Sequence, residues 1–328
     1  MVTIILIVLL ALTFDFINGF HDTANAIATA VSTRALKLRT AIIIAAVMNF
    51  LGAIVSTGVA QTIAKDIVDL NNVANGSTVM IAALISAILW NLLTWYFGIP
   101  SSSSHALIGS LAGAALADAG VSAIKIRGFE KVVCSLIISP ILALTVGYLM
   151  FSLIKLIFKK ANLGKANQGF RRLQIFTAAL QAFSHGTNDA QKSMGIITMA
   201  LVSYGYLKTM TIPLWVQLLC AMAMAFGTSI GGWRIIKTVG TQIMQLKPVN
   251  AVAADLSSAL IIQCATKFGL PVSTTHVISS SIMGVGAASR IKGVKWSTGK
   301  KMVAAWFITI PITIVISAGI FAVCNLFV

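Results

Sequence analysis

The chain has 328 residues, of which 58% are hydrophobic and only 10% charged, with a mean hydropathy of +0.93. Soluble domains carry roughly 25% charged residues, so the composition excludes an ordinary water-soluble domain and points to a polytopic, multi-pass protein of a lipid bilayer. The formal charge of +16 sits in the short segments between apolar runs, where membrane topology explains it, so no nucleic-acid partner is implied.

Apolar runs near the roughly 20 residues that cross a bilayer recur along the whole length. Five crossings are predicted in each half. In the first they are about 3–35, 40–60, 78–97, 100–119 and 132–158; in the second about 173–204, 212–232, 250–268, 271–288 and 301–325. The first run leads straight into a polar motif and lacks a basic leader and a small-residue cleavage site, so it reads as a retained span. It is long for one straight span, and a helix break is expected at Gly19–Asp22. Segments 100–119 and 271–288 fit either a crossing or a re-entrant hairpin. The domain organisation that follows is a first repeat over 1–158, a basic cytoplasmic linker over 159–172 and a second repeat over 173–328.

Loop charge sets the orientation. Seventeen Lys and Arg fall in segments 34–39, 155–172, 234–250 and 289–301, against five in 61–77, 121–131 and 205–211. The positive-inside rule places the seventeen in the cytoplasm and both termini outside. An odd number of crossings per half inverts the second half relative to the first. The fold class expected is all-α, with two inverted-topology repeats whose broken or re-entrant helices meet near the bilayer midplane.

The polar chemistry occurs twice. GFHDTANAIAT begins at Gly19 and HGTNDAQKSMG at His185; Gly98-Ile99-Pro100 leads into SSSSH, and Gly269-Leu270-Pro271 into VSTTH. All four histidines (His21, His105, His185 and His276) lie in these stretches. The four cysteines (Cys134, Cys220, Cys264 and Cys324) lie singly in apolar segments and read as packing residues, with neither a metal cluster nor a disulfide framework.

Of eight acidic residues, Asp66, Asp69, Asp118 and Glu130 fall in or near loops, whereas Asp15, Asp22, Asp189 and Asp255 fall at membrane depth. Carboxylates within a span are expensive and face polar cavities, bind cations or carry protons. Asn18, His21, Thr23 and Asn25 surround Asp22; His185, Thr187, Asn188, Gln191 and Lys192 surround Asp189. Asn18 and His21 in one motif correspond to His185 and Asn188 in the other. Gly19 and Gly186 read as points of backbone freedom where a helix breaks. Carboxylate, amide and hydroxyl oxygens suit a hard cation such as Na⁺ at Asp22 and Asp189, and the same carboxylates suit a proton.

The second motif has the opposite character. Proline followed by Ser or Thr builds a helix start rich in donors, here Ser101, Ser102, Ser103 and Ser104 in one half and Ser273, Thr274 and Thr275 in the other. Amides and hydroxyls at a helix N-terminus bind anions. Two such starts facing each other, with cations on nearby aspartates, define a cation-coupled oxyanion symporter. A divalent anion entering a negative-inside cell climbs about 4–5 kcal/mol at 100 mV, which a co-moving cation offsets.

The stretches GFHDTANAIATAVSTRAL, WYFGIPSSSSHALIG, SHGTNDAQKSMG, GTSIGGWRIIKTVG and GLPVSTTH resemble the inorganic phosphate transporter (PiT) family over nearly the whole chain. The resemblance is closest to short bacterial low-affinity phosphate carriers. It implies inorganic phosphate uptake across a bacterial plasma membrane, no catalytic residues and no cofactor beyond a coupling ion, and a homodimer. Under it, Asp22, Asn25, Asn188, Asp189 and Asp255 match cation-coupling positions. Ser102, Ser103, Ser104, Ser273, Thr274 and Thr275 match phosphate-binding positions, supported by His21, His105, His185, His276, Gln191 and Lys192. Asn49 stands where sodium-coupled animal members have a Glu, and Gln191-Lys192 where their signature has a Ser-Asn pair; both departures favour H⁺ over Na⁺, with phosphate moving alone or as a neutral metal complex. The rival substrate is sulfate. A passive anion channel and an intramembrane hydrolase using Ser104 and His105 are the readings from other classes.

Overall fold

The computed structural model describes residues 1–69, 71–160 and 163–326, and the side chains of 163–166, Trp233 and Arg234 lie outside what it describes. Part of the expected 159–172 linker, residues 161–162, is therefore not described, and its continuation already belongs to a helix. Among the described residues there are thirteen α-helices and no β-strands. In the first half they are α1 (Val2–Ser32), α2 (Leu38–Ala53), α3 (Gly58–Asp66), α4 (Gly76–Phe97), α5 (Ser103–Ala119) and α6 (Ile126–Ile157). In the second they are α7 (Leu163–Asp189), α8 (Gln191–Ser203), α9 (Leu214–Ile230), α10 (Trp233–Thr241), α11 (Pro248–Lys267), α12 (Thr274–Arg290) and α13 (Trp296–Cys324).

The order of elements repeats. α1 corresponds to α7 with α8, α2 and α3 to α9 and α10, α4 to α11, α5 to α12, and α6 to α13. Packing follows the same exchange: α1 lies on α9 as α7 lies on α2, and α5 on α13 as α12 lies on α6. Each half therefore buries its apolar faces largely against the other. Even the isolated antiparallel bridges repeat, Val68 with Ile124 and Met244 with Val294. The protein is an all-α membrane protein of two inverted, interlocked repeats.

The exterior is apolar and the interior polar. Ile141, Leu149, Phe307 and Val315 are exposed on α6 and α13, where lipid solvates them, while many Ser and Thr side chains are buried between helices. Six described helices are long and apolar enough to cross a membrane. Two further pairs pass the same test together and are sharply bent, α2 with α3 at 63° and α9 with α10 at 75°; the count is eight if each pair forms one span.

The break expected at Gly19–Asp22 is absent: α1 is a continuous helix of 31 residues. Its counterpart is divided at Ala190, between α7 and α8. The breaks fall instead within segments 40–60 and 212–241, where α2 and α9 end. Gly19 and Gly186 serve close approach, not backbone freedom. A Cβ at Gly19 would lie 2.3 Å from the carbonyl oxygen of Met224 on α9, and one at Gly186 2.3 Å from that of Asn49 on α2. Glycine at these two equivalent points lets backbone lie on backbone. Trp90 and Trp306 read from sequence as interfacial; they are buried, and Trp306 stacks on His276 with ring centroids 4.0 Å apart.

Candidate transport site

The two Ser/Thr motifs form helix starts as expected, with one shift. Gly98 and Gly269 end their helices in the left-handed region, at φ 66° and 65°, a conformation glycine adopts without a Cβ clash. Pro100 and Pro271 then lie two residues before the N-caps, outside the first turn. Ser102 caps α5, accepting from the His105 N–H at 3.1 Å; Ser273 caps α12, accepting from the His276 N–H at 3.3 Å.

Three neighbouring hydroxyls reach the central carboxylates. Ser103 donates to Asp22 Oδ2 through a short hydrogen bond, Thr275 donates to Asp22 Oδ1 at 3.0 Å, and Thr274 donates to Asp189 Oδ2 at 3.0 Å. Asn25 donates its amide to the Thr275 hydroxyl at 2.8 Å. All of these groups are buried. Ser104 is directed elsewhere, to the Val272 carbonyl at 2.8 Å, and so fastens α5 to the extended lead of α12. Asn188 does the same work from the other side, accepting from the Val272 N–H at 3.2 Å and donating to Leu270 O and Thr266 Oγ1.

Lys192 Nζ lies 2.6 Å from Asp189 Oδ1, both side chains fully buried. His21 Nδ1 lies 2.7 Å from Asp22 Oδ1, and its Nε2 lies 3.1 Å from Thr94 Oγ1. The exchange between motifs holds in space: His21 meets Thr94 on α4 as Asn188 meets Thr266 on α11. Asn49 donates to Thr23 and Thr228, so its Oδ1 faces His185 Nδ1 at 3.0 Å and that nitrogen carries the proton. His185 Nε2 lies 3.2 Å from Asp189 Oδ2. One ligand atom each from Asp22, His185 and Asp189 lie within 4.8 Å of one another, close enough to surround one cation.

Other expected site residues lie apart. Asp255 accepts from Thr29 at 2.8 Å and Thr177 at 3.0 Å, between α1 and α7. Gln191 accepts from the Ala60 N–H on α3 at 3.0 Å. His105 and His276 stand behind the helix starts with ring centroids 4.5 Å apart. An intramembrane hydrolase is not formed, since the Ser104 hydroxyl is committed to a carbonyl and the His105 Nδ1 lies 2.8 Å from Ser102 instead. Sequence reasoning passed over Thr94, Thr228 and Ser193; Thr228 lies inside GTSIGGWRIIKTVG, Ser193 inside HGTNDAQKSMG, and Thr94 directly precedes WYFGIPSSSSHALIG, so their place in or beside these stretches was the available signal.

Interlocked inverted repeats, membrane-buried carboxylates and two facing helix starts define the protein as a transporter, not an enzyme. A profile of the phosphate transporter family matches residues 18–168 and again 159–317. The chain is 62% identical over 323 residues to a probable low-affinity inorganic phosphate transporter of Bacillus subtilis (strain 168), covering 98% of this chain and 97% of that one. It is 44% identical to a protein of the same description from Rhizobium meliloti (strain 1021), covering 95% and 93%. A solved structure described as the sodium-dependent phosphate transporter superposes over all of both chains with a TM-score of 0.93 at 27% identity. The chain belongs to the phosphate transporter family.

Proposed function

We propose that this protein carries inorganic phosphate into the cell, coupled to protons moving in the same direction. The observation that supports it best is the contact between opposite chemistries. Hydroxyls from two helix N-termini, Ser103, Thr274 and Thr275, donate to the two carboxylates Asp22 and Asp189. An ionised carboxylate claims those donors and repels an oxyanion. A carboxyl that has taken a proton does neither, and the hydroxyls, with the first-turn amides of α5 and α12, turn to phosphate. Anion binding thereby depends on cation binding. Lys192 and Asn25 hold the geometry on either side, and the caps Ser102 and Ser273 with Ser104 fix the helix starts.

In this reading the units are residues 1–158 and 173–328, the chain lies in a bacterial plasma membrane with both termini outside, and it works as a homodimer. The second reading is sodium coupling. It is favoured by the cluster of Asp22, His185 and Asp189 ligand atoms and by the likeness to a sodium-dependent carrier. Phosphate alone and a metal–phosphate complex both suit the cluster.

The test is radiolabelled phosphate uptake into proteoliposomes under an imposed pH or sodium gradient, with sulfate as competitor. Uptake driven by external acid, resistant to sulfate and lost in Asp22→Asn and Asp189→Asn, is the expected result. Drive by sodium alone transfers the site to the second reading. Sulfate counterflow changes the substrate, and full coupled uptake in both variants removes the site assignment.

A further inference from the structure

Besides Asp255, a second membrane-buried carboxylate stands apart from the site just described. Asp15, on α1, is fully buried. Its Oδ1 accepts from Ser193 Oγ at 2.8 Å, and apart from the neighbouring Cys220 thiol its Oδ2 meets no donor. Asn18 lies one turn further along the same helix face, also fully buried, and neither its amide nitrogen nor its amide oxygen has a partner. Asp22 lies one turn beyond that. α1 and α4 run side by side, and the contact of His21 with Thr94 sets their register. That register puts Asn91, one turn before Thr94, near the depth of Asn18; both Asn91 amide atoms are likewise buried and unpartnered. Four amide atoms, of Asn18 and Asn91, thus go unmatched between two carboxylates. Buried polar atoms are nearly always matched, so this layer is built for something that comes and goes.

We propose that Asp15 is a second proton-carrying carboxylate, exchanging its proton with Asp22 through the Asn18–Asn91 layer. This rests on the reading of the chain as a proton-coupled phosphate carrier and adds a position to it. A proton fits better than a metal ion. Asp15, Asn18 and Ser193 offer four side-chain oxygens, of which Asp15 Oδ1 and Ser193 Oγ already bind each other, and α1 is unbroken here, so its carbonyls are committed to its own hydrogen bonds. Hard cations in carriers draw on unwound carbonyls. Other groups facing Asp15 are the Cys220 thiol on α9, alongside it, with Lys192 on α8 and Asp189 on α7 farther off. Lys192 is already paired with Asp189, which leaves Asp15 without a basic partner of its own. The step moves H⁺ alone: an O–H bond forms at the Asp15 carboxylate as the O–H bond of protonated Asp22 breaks, and the reverse transfer returns the proton to the Asp22 carboxylate. The carboxyl returns to its starting state each cycle.

The experiment counts protons per phosphate. Purified protein in proteoliposomes is given a phosphate gradient, and proton entry is followed with a trapped pH dye alongside radiolabelled phosphate. Asp15→Asn should keep phosphate–phosphate exchange, because the amide imitates the protonated acid, and should lower the proton-to-phosphate ratio by one. Asp15→Glu should restore the ratio and shift a carboxylic-acid C=O band in infrared difference spectra. An unchanged ratio in Asp15→Asn overturns the proposal while leaving the coupling reading intact. Loss of exchange in Asp15→Asn also overturns it, since a proton-bearing position tolerates the neutral amide. Phosphate uptake by the unaltered protein without proton movement overturns the coupling reading first, and this inference with it.

Discussion

Thr275, from the second repeat, donates its hydroxyl to Asp22 of the first at 3.0 Å. The bond crosses the boundary between the halves and joins the start of α12 to a membrane-buried carboxylate on α1. Thr275→Val removes the donor at nearly constant volume. Hydrogen bonds to charged groups contribute about 1.5–3 kcal/mol, so gradient-driven phosphate uptake should fall roughly 10- to 100-fold. Uptake kinetics in proteoliposomes check this, with Thr275→Ser expected to retain most of the activity.

Lys192 and Asp189 form a buried ion pair, and removing one partner leaves the other uncompensated. Lys192→Met should destabilise the protein by about 3–5 kcal/mol. Asp189→Asn with Lys192→Met should recover much of that loss and still fail to transport. Thermal unfolding in detergent, followed by tryptophan fluorescence, separates these outcomes.

The two backbone contacts at Gly19 and Gly186 are equivalent, so their alanine variants should behave alike. Each new methyl meets a carbonyl oxygen, and overpacking costs about 1–3 kcal/mol. Similar lowering of the unfolding temperature in Gly19→Ala and Gly186→Ala is expected. A neutral result in either one would show that its helix pair can part without loss.

Orientation is open to chemical labelling. In a background with the four cysteines replaced, Lys37→Cys and Lys292→Cys should react with an impermeant maleimide only after the membrane is opened. Ser122→Cys and Lys208→Cys should react from outside in intact cells. The reverse pattern would place both termini in the cytoplasm.

Much of the fold was legible because the chain states it twice. The paired motifs located both helix starts and both central carboxylates, and the match of His21 with Asn188 survived into three dimensions through Thr94 and Thr266. The failures have physical causes. Glycine marks both a broken helix and a close helix contact, and sequence does not separate them at Gly19. Thr94, Thr228 and Ser193 act through partners on other helices, and a hydroxyl in or beside a motif carries no sign of what it will meet. Asp255 was placed with the coupling groups on family likeness. Its hydrogen bonds to Thr29 and Thr177 set it in a separate position between α1 and α7.

The continuity of α1 gives the two halves unequal mechanical parts. One central carboxylate rides on an unbroken rod of 31 residues, while the other stands at the end of α7, beside the joint at Ala190. Asp22 shares the rigidity of its whole helix, whereas Asp189 is held where two helices join, tied across Ala190 to Lys192 on α8. A repeat that is symmetric in chemistry is thus unequal in its mechanics.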